Sequence, residues 1–212
     1  MAKFDKYNWG APPEPISEDE ITKTVTCDVV IVGAGLSGVS AALRCTENGL
    51  DTVLIEKGRR NSARGLHVGV ANSRLLRKNG IVNDIDEIAD EWISVTSHRA
   101  NIDLIRLFLN KSEPAMDWVL DKAEAHGMGV YIFGGGYHGK SYKEFVCTHI
   151  FDGGVEGLAS MLLGQAMENG LRADYFTSGR QLIKENGRIT GVIAAAPGGY
   201  VKYTARMGVI LS

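Results

Sequence analysis

The sequence predicts an α/β fold in which a parallel sheet, a helical insert and an antiparallel β-meander follow one another along the chain. Three stretches carry that expectation: a strand–turn–helix–strand unit at Cys27 to Lys57, helical periodicity from Asp84 to His126, and short β runs with turn signals from Arg172 onward.

The first unit opens with Val29, Val30, Ile31 and Val32, apolar on both faces as a buried parallel strand requires. Gly33, Gly35 and Gly38 follow in G-x-G-x-x-G spacing. Helical periodicity then runs from Leu36 to about Asn48, with Leu36, Val39, Leu43 and Thr46 on one side, and Gly49 stops it. Thr52 to Ile55 form a second strand ending on Glu56. Gly33 allows a tight turn, Gly35 lacks a Cβ that would keep a pyrophosphate off the backbone, and Gly38 lets helix and strand lie close. The unpaired N–H groups at the helix start carry about half a positive charge and face the phosphates. The glycine spacing alone is weak evidence. Its place between strand and helix, with an acid after a second strand roughly 20 residues on, is the confirming context. It predicts a dinucleotide site at Gly33, Ala34, Gly35, Leu36, Ser37 and Gly38, with Glu56 accepting from a ribose diol.

Bulk composition narrows the class. Apolar content of 44% and charged content of 23% are those of a soluble globular protein, and a net charge of −2 argues against nucleic acid or an anionic membrane as partner. Cys27, Cys45 and Cys147 are scattered, with no C-x-x-C, so buried free thiols in a reduced, cytoplasmic compartment are expected. No export-type apolar segment and no membrane-length span is read from the chain.

In chain order, residues 1–24 are polar and proline-bearing (Pro12, Pro13, Pro15) and read as an extended arm pinned by Trp9, with the domain proper at 25–212. Lys57 to Lys78 is a long loop rich in small and basic residues, among them Arg59, Arg60, Arg64, Gly65 and Gly69. Loops of this length are usually functional, and its donors suit an anion; a solvated basic loop is the alternative. Ile85, Ile88, Trp92, Ile93 and Val95 mark one helix, and Asn101 caps a second containing Ile102, Ile105, Leu107, Phe108 and Leu109. Pro114 opens a third that runs to Gly127, and the Met and Trp positions are read as core. Val130 to Phe133 is a strand. Gly134 to Ser141 matches G-x-x-x-x-G-K-[ST] formally, yet a P-loop needs a helix at its Lys-Ser pair, and strand-like Phe145, Val146, Cys147 and Ile150 follow instead. A helix from about Val155 to Asn169 leads to β runs at 172–177, 181–184, 190–195, 200–204 and 207–211, with hairpin signals at Asn186-Gly187 and Gly198-Gly199. No metal-ligand spacing appears among the histidines; His98 and His126 suit surface or capping roles, while His67 and His138 sit in loops that could face a ligand.

At Asp28 to Ala41, Glu56-Lys57 and the loop behind them, the chain resembles the FAD-binding domain of the fumarate reductase and succinate dehydrogenase flavoprotein family, and most of all the enoate-reducing flavoproteins of anaerobic bacteria. Glu followed by Lys after the second strand is typical of that family. Asn61-Ser62 match the second half of its G-G-N-[ST] element, with Arg59-Arg60 replacing the glycines, and Ala63-Arg64-Gly65 to Gly69 stands in for the segment that passes the flavin ring. Gly153-Gly154-x-x-Gly157-Leu158 is similar to its helix start. Tyr175 to Leu182 is similar to its adenine-touching strand, with Gly179 where Val or Ala is usual, and Gly187 to Val192 and Met207 to Leu211 resemble its meander and last strand.

The resemblance implies FAD as cofactor, held by the glycine turn, Glu56, Lys57, Asn61, Ser62, Ala63, Arg64, Gly65, Gly69 and Gly179. It implies hydride transfer between reduced flavin and an activated enoate, or the reverse, with a small carboxylate as substrate and the electron donor left open. It also implies that a cap domain bearing the proton-donating arginine, and a C-terminal FAD-binding segment, lie outside these 212 residues, so that this chain alone is incomplete for catalysis. Two other readings remain: a non-catalytic nucleotide-binding module, and an NAD(P)-dependent oxidoreductase, for which Glu56 would suit the ribose equally well.

Overall fold

The computed structural model describes residues 14–134 and 143–212. Residues 1–13 of the N-terminal arm, with Trp9, and the glycine segment 135–142, with His138, lie outside the described residues. The chain forms two compact units: one from residues up to Asn61 together with Ala166–Ser212, the other from Ser62–Gln165.

The first unit is built on a six-stranded sheet. Its strands are β1 (Ile21–Val32), β2 (Thr52–Ile55), β6 (Arg172–Asp174), β7 (Ser178–Glu185), β8 (Arg188–Ala196) and β9 (Gly199–Leu211), in spatial order β6-β2-β1-β9-β8-β7. The β6, β2, β1 and β9 neighbours are parallel, and β7, β8 and β9 form the antiparallel meander. Helix α1 (Leu36–Glu47) joins β1 to β2 and ends before Gly49, whose φ of +73° supplies the left-handed turn. Cys27, Val30, Val53, Ile55, Val192, Ala194, Val201, Tyr203 and Ala205 form its apolar core. Within it Tyr203 donates to Asp174 Oδ2 (2.7 Å), and burial pushes the phenol above its ordinary pKa, keeping it a neutral donor.

Two features of this sheet differ from the sequence expectation. Ile21 to Thr24, assigned to the arm, are the first residues of β1 and pair with β9, Ile21 opposite Tyr200 and Lys23 opposite Val201. Three of these four are Thr or Lys, so their pairing shows no apolar pattern. The expected strands at 200–204 and 207–211 are one strand with a bulge, where register moves from Cys27–Ala205 to Val29–Gly208. Arg206 projects there onto Asp28 (2.7 Å) and holds its carboxyl below the usual range. Arg188 donates to the Arg206 and Met207 carbonyls.

The second unit contains α2 (Arg74–Lys78), α3 (Ile85–Val95), α4 (Ile102–Ala125) and a three-stranded antiparallel sheet of β3 (His67–Gly69), β5 (Thr148–Phe151) and β4 (Val130–Phe133), with β5 in the middle. Asp84 and Asn101 cap α3 and α4 through their side chains. Pro114 does not open a helix; it lies inside the 24-residue α4. An interior proline costs about 3 kcal/mol. The buried stripe Ile105, Leu109, Ser112, Met116, Leu120, Ala123 continues unbroken across it, and burying each large apolar side chain gains roughly 1.5–3 kcal/mol, so the helix persists. Met116 is core as expected, but Trp92 is 41% exposed and meets Phe108 edge-on with ring centroids 5.8 Å apart. Residues 143–147 form no helix before β5, in keeping with the rejection of a P-loop. Helix α5 (Gly154–Glu168) starts in this unit, and its last residues belong to the first.

Ser73 and His149 form a buried pair in the second unit. Ser73 Oγ lies 2.8 Å from His149 Nε2 and also accepts from the Leu76 N–H, capping α2. His149 Nδ1 is buried without a hydrogen-bond partner among the described residues. Burial lowers the His149 pKa from 6.5, outweighing the opposing pull of the Cys147 and Val68 carbonyls and of Asp117. A folded-state pKa below the unfolded value means the unfolded chain binds the extra proton first. Stability is therefore full above pH 6.5 and falls as pH drops from there through the folded pKa. Urea unfolding at pH 7.5 and pH 5.5 should show that loss, and His149→Gln should flatten it; an equal slope in the variant would assign the effect elsewhere.

Candidate functional site

The site in the first unit is built at the carboxyl ends of β1 and β2. Gly33 has φ +107°, and a Cβ there would lie 2.6 Å from the Ser212 carbonyl oxygen. Ser212 extends β9, donating its N–H to Val32 O (2.9 Å), and its Oγ is 2.5 Å from Ser37 Oγ. Gly38 is buried on α1, where a Cβ would collide with the Gly33 carbonyl. Both glycines are thus required by the protein's own packing. Gly35 differs: its φ of −76° and ψ of −179° are open to any residue, so its lack of a side chain is not a backbone requirement.

The N-terminus of α1 is chemically open. Gly35 caps it without a side chain, and no acid occupies its first turn, whereas side chains of Ser73, Asp84 and Asn101 cap α2, α3 and α4. The first N–H of the turn to close back is Val39, on Gly35 O (3.0 Å). The N–H groups of Leu36, Ser37 and Gly38 precede that closure and are of the kind that hold anions at helix starts.

Glu56 braces this turn. One carboxylate oxygen accepts from the Ala34 N–H (2.8 Å), the other from the Gly58 N–H (2.7 Å). The Glu56 backbone is held as well: its N–H donates to Asp174 O (2.9 Å), and its carbonyl accepts from Thr177 (2.8 Å). A carboxylate offers about four lone-pair sites, so roughly two remain for further donors. Gly179, at the start of β7, belongs to the same unit; a Cβ there would meet Val32 at 3.0 Å, with Val192 and Ile55 behind it. Lys57 is exposed and Asn61 buried.

The remaining loop residues belong to the second unit, where they meet the start of α5. Ala63 donates to Glu156 Oε2 (2.6 Å), and Gly65, with φ +105°, accepts from the Val155 N–H (3.3 Å). Gly153 and Gly154 both have positive φ, and Gly157 sits where a Cβ would collide with the Asp152 carbonyl. Ser62 and Arg64 are exposed. Gly69 is on β3 beside an apolar groove of about 420 Å³ that Leu104, Leu107 and Phe108 also line. His67 stacks on Phe133, centroids 5.0 Å apart.

The sequence reading missed Gly58, Glu156 and Ser212. Only Glu156 left a signal, as an acid in the first turn of a glycine-opened helix. The three cysteines are free; Cys27 is buried as expected, Cys45 and Cys147 are half-buried, and burial raises all three thiol pKa values.

A parallel β-α-β unit with a glycine turn and a braced acid is a Rossmann-like nucleotide-binding arrangement. Residues 28–212 match the family described as FAD binding domain, and the chain belongs to that family, bearing out the resemblance to the fumarate reductase flavoproteins. It is 30% identical over 130 residues to urocanate reductase of Eggerthella lenta, covering 59% of this chain and 20% of that protein. Vinyl phenol reductase of Lactiplantibacillus plantarum is 28% identical over 180 residues, 82% of this chain and 34% of that one. Among solved structures, 3-ketosteroid-Δ4-(5α)-dehydrogenase of Rhodococcus jostii RHA1 superposes with a TM-score of 0.76 at 20% identity, covering 93% of this chain and 48% of that chain. The open form of a flavocytochrome c3 fumarate reductase gives 0.71 at 18% identity, covering 90% and 34%. The chain therefore spans a fifth to a third of the curated relatives' length.

The Glu56 brace is directly testable. Glu56→Gln leaves one acceptor oxygen for two N–H donors and turns an NH₂ group toward the other. Urea unfolding without cofactor should show a loss of about 1–3 kcal/mol. An unchanged midpoint would mean the carboxylate does not hold the turn.

Proposed function

We propose that the first unit grips FAD by its ADP half. The N–H groups of Leu36, Ser37 and Gly38 face the pyrophosphate, Gly35 leaves it room, Gly33 and Ala34 form the turn, and Glu56 accepts from the ribose diol through its remaining lone pairs. The uncapped start of α1 supports this best: an acid-free helix terminus with open amides, in a chain that caps α2, α3 and α4 with side chains. Lys57, Asn61, Ser62, Ala63, Arg64, Gly65, Gly69 and Gly179 enter as cofactor residues on the family resemblance.

The activity we assign to the protein is reduction of an activated enoate, or the reverse dehydrogenation. FAD supplies the hydride chemistry when bound. The chain's own contribution is to fix the nucleotide: the helix terminus balances phosphate charge, and Glu56 couples the ribose to the glycine turn. Two relatives bearing the name reductase, and a steroid dehydrogenase sharing the fold, support this class of reaction. The substrate we favour is a small enoate or related carboxylate, and three free thiols suit a reduced, cytoplasmic setting. Among the described residues no helix is long and apolar enough to cross a membrane.

Purified protein incubated with FAD and desalted should keep the visible bands of bound flavin. Gly35→Val, which places a side chain at the phosphate position, should lose them while its far-ultraviolet circular dichroism stays unchanged. A colourless unaltered chain that binds NADH would overturn the FAD reading. In the protein together with the cap domain that the resemblance implies, reoxidation of the photoreduced flavin by fumarate or urocanate, compared with a saturated analogue, then tests the enoate assignment; equal rates with both would contradict it.

A further inference from the structure

We infer that Tyr203 is a positioning residue for Glu56: from the core of the first unit it holds both residues that clamp the Glu56 main chain, and so sets where the carboxylate meets a ribose. The inference rests on the ribose contact proposed above. Tyr203 is 2% exposed and acts through Glu56, not on a ligand.

Tyr203 packs among Cys27, Val30, Val53, Ile55 and Val192, where a phenylalanine ring would fill the same space with no hydroxyl to satisfy. A buried hydroxyl is costly unless it is bonded. This one donates to Asp174 Oδ2 (2.7 Å). The buried Thr177 hydroxyl interacts with the phenol too, partly offsetting the rise in its pKa that burial and Asp174 cause. Asp174 and Thr177 are the same two residues that hold the main chain of Glu56. The Glu56 N–H donates to Asp174 O (2.9 Å), and the Thr177 N–H donates to Glu56 O (2.8 Å). One phenol therefore faces both halves of the clamp.

The clamp depends on that anchor because β6 is short. It is an edge strand of three residues paired with β2, so main-chain pairing alone fixes little of it. Each end carries a side-chain tether. At the amino end Arg172 donates to Asp51 (2.8 Å) and to the Thr26 carbonyl (3.4 Å), in a pair half open to solvent and so weak. At the carboxyl end Asp174 is held by Tyr203 against the apolar core. Asp174 lies opposite Ile55, and Glu56 follows at once, so a shift of Asp174 carries the Glu56 N–H and its carboxylate with it. A ligand group held in place before binding loses less freedom when the ligand arrives.

The test is calorimetric titration of the full chain with ADP and with 2′,3′-dideoxy-ADP, which lacks the diol. The unaltered chain should prefer ADP. Tyr203→Phe keeps the ring and removes the hydroxyl; it should weaken ADP about fivefold and leave the dideoxy analogue within about twofold. Asp174→Ala removes the acceptor instead of the donor and should show the same contrast, which keeps the test open if one variant folds poorly. The double variant should lose no more than either alone. Equal weakening of both nucleotides would make Tyr203 a structural residue only and overturn the inference, as would additive losses or unchanged ADP affinity. An unaltered chain with no preference for ADP sinks the ribose contact and this inference with it, whereas a preference that survives both substitutions sinks this inference alone.

Discussion

The first unit depends on one carboxylate. Glu56 ends β2, and its two oxygens take N–H groups from Ala34 in the glycine turn and Gly58 in the following loop. Its main chain meanwhile bonds Asp174 at the end of β6 and Thr177 just beyond it. Three segments far apart in sequence therefore meet at one residue, and each contact to the carboxylate is a charge-assisted bond of the stronger kind. The same side chain keeps about two lone-pair sites that these bonds do not use, and the proposed ribose contact draws on those. Glu56 was expected from the sequence as a ligand group alone; the structure adds the bracing role.

The glycines divide by what they make room for. Gly33 and Gly38 are confined by the protein itself, since the end of β9 at Ser212 and the Gly33 carbonyl fill the space a Cβ would need. Gly35 has an ordinary extended backbone, so its lack of a side chain is not required by its conformation. The parallel pairing of β9 with β1 brings Ser212 against the turn. The meander is therefore part of the site's architecture, because it supplies the wall on which the glycine turn is packed.

Elements whose information is local were legible in the sequence. The β1–α1–β2 unit, the Asn101 cap, the helix opening at Gly153-Gly154 and the meander hairpins each carry turn, cap or periodicity signals within a few residues. What escaped is set by partners distant in sequence. The start of β1 is a strand because β9 lies beside it, and Pro114 is tolerated because a buried stripe runs through it. The bulge at Arg206 made one strand look like two. At the site the motif residues were readable from spacing, but Ser212 packs on the glycine turn through the register of a strand more than 100 residues from the motif, which spacing does not show.

Family membership makes FAD the cofactor, and the account places its nucleotide half on the first unit. Backbone amide NMR during an FAD titration reads that claim residue by residue. The account predicts large shifts at Gly33 to Gly38, at Glu56 to Gly58 and at Tyr175 to Thr177, with the amides of Ser37 and Gly38 moving most as they meet the pyrophosphate. FAD binding that leaves those three segments unmoved would contradict it.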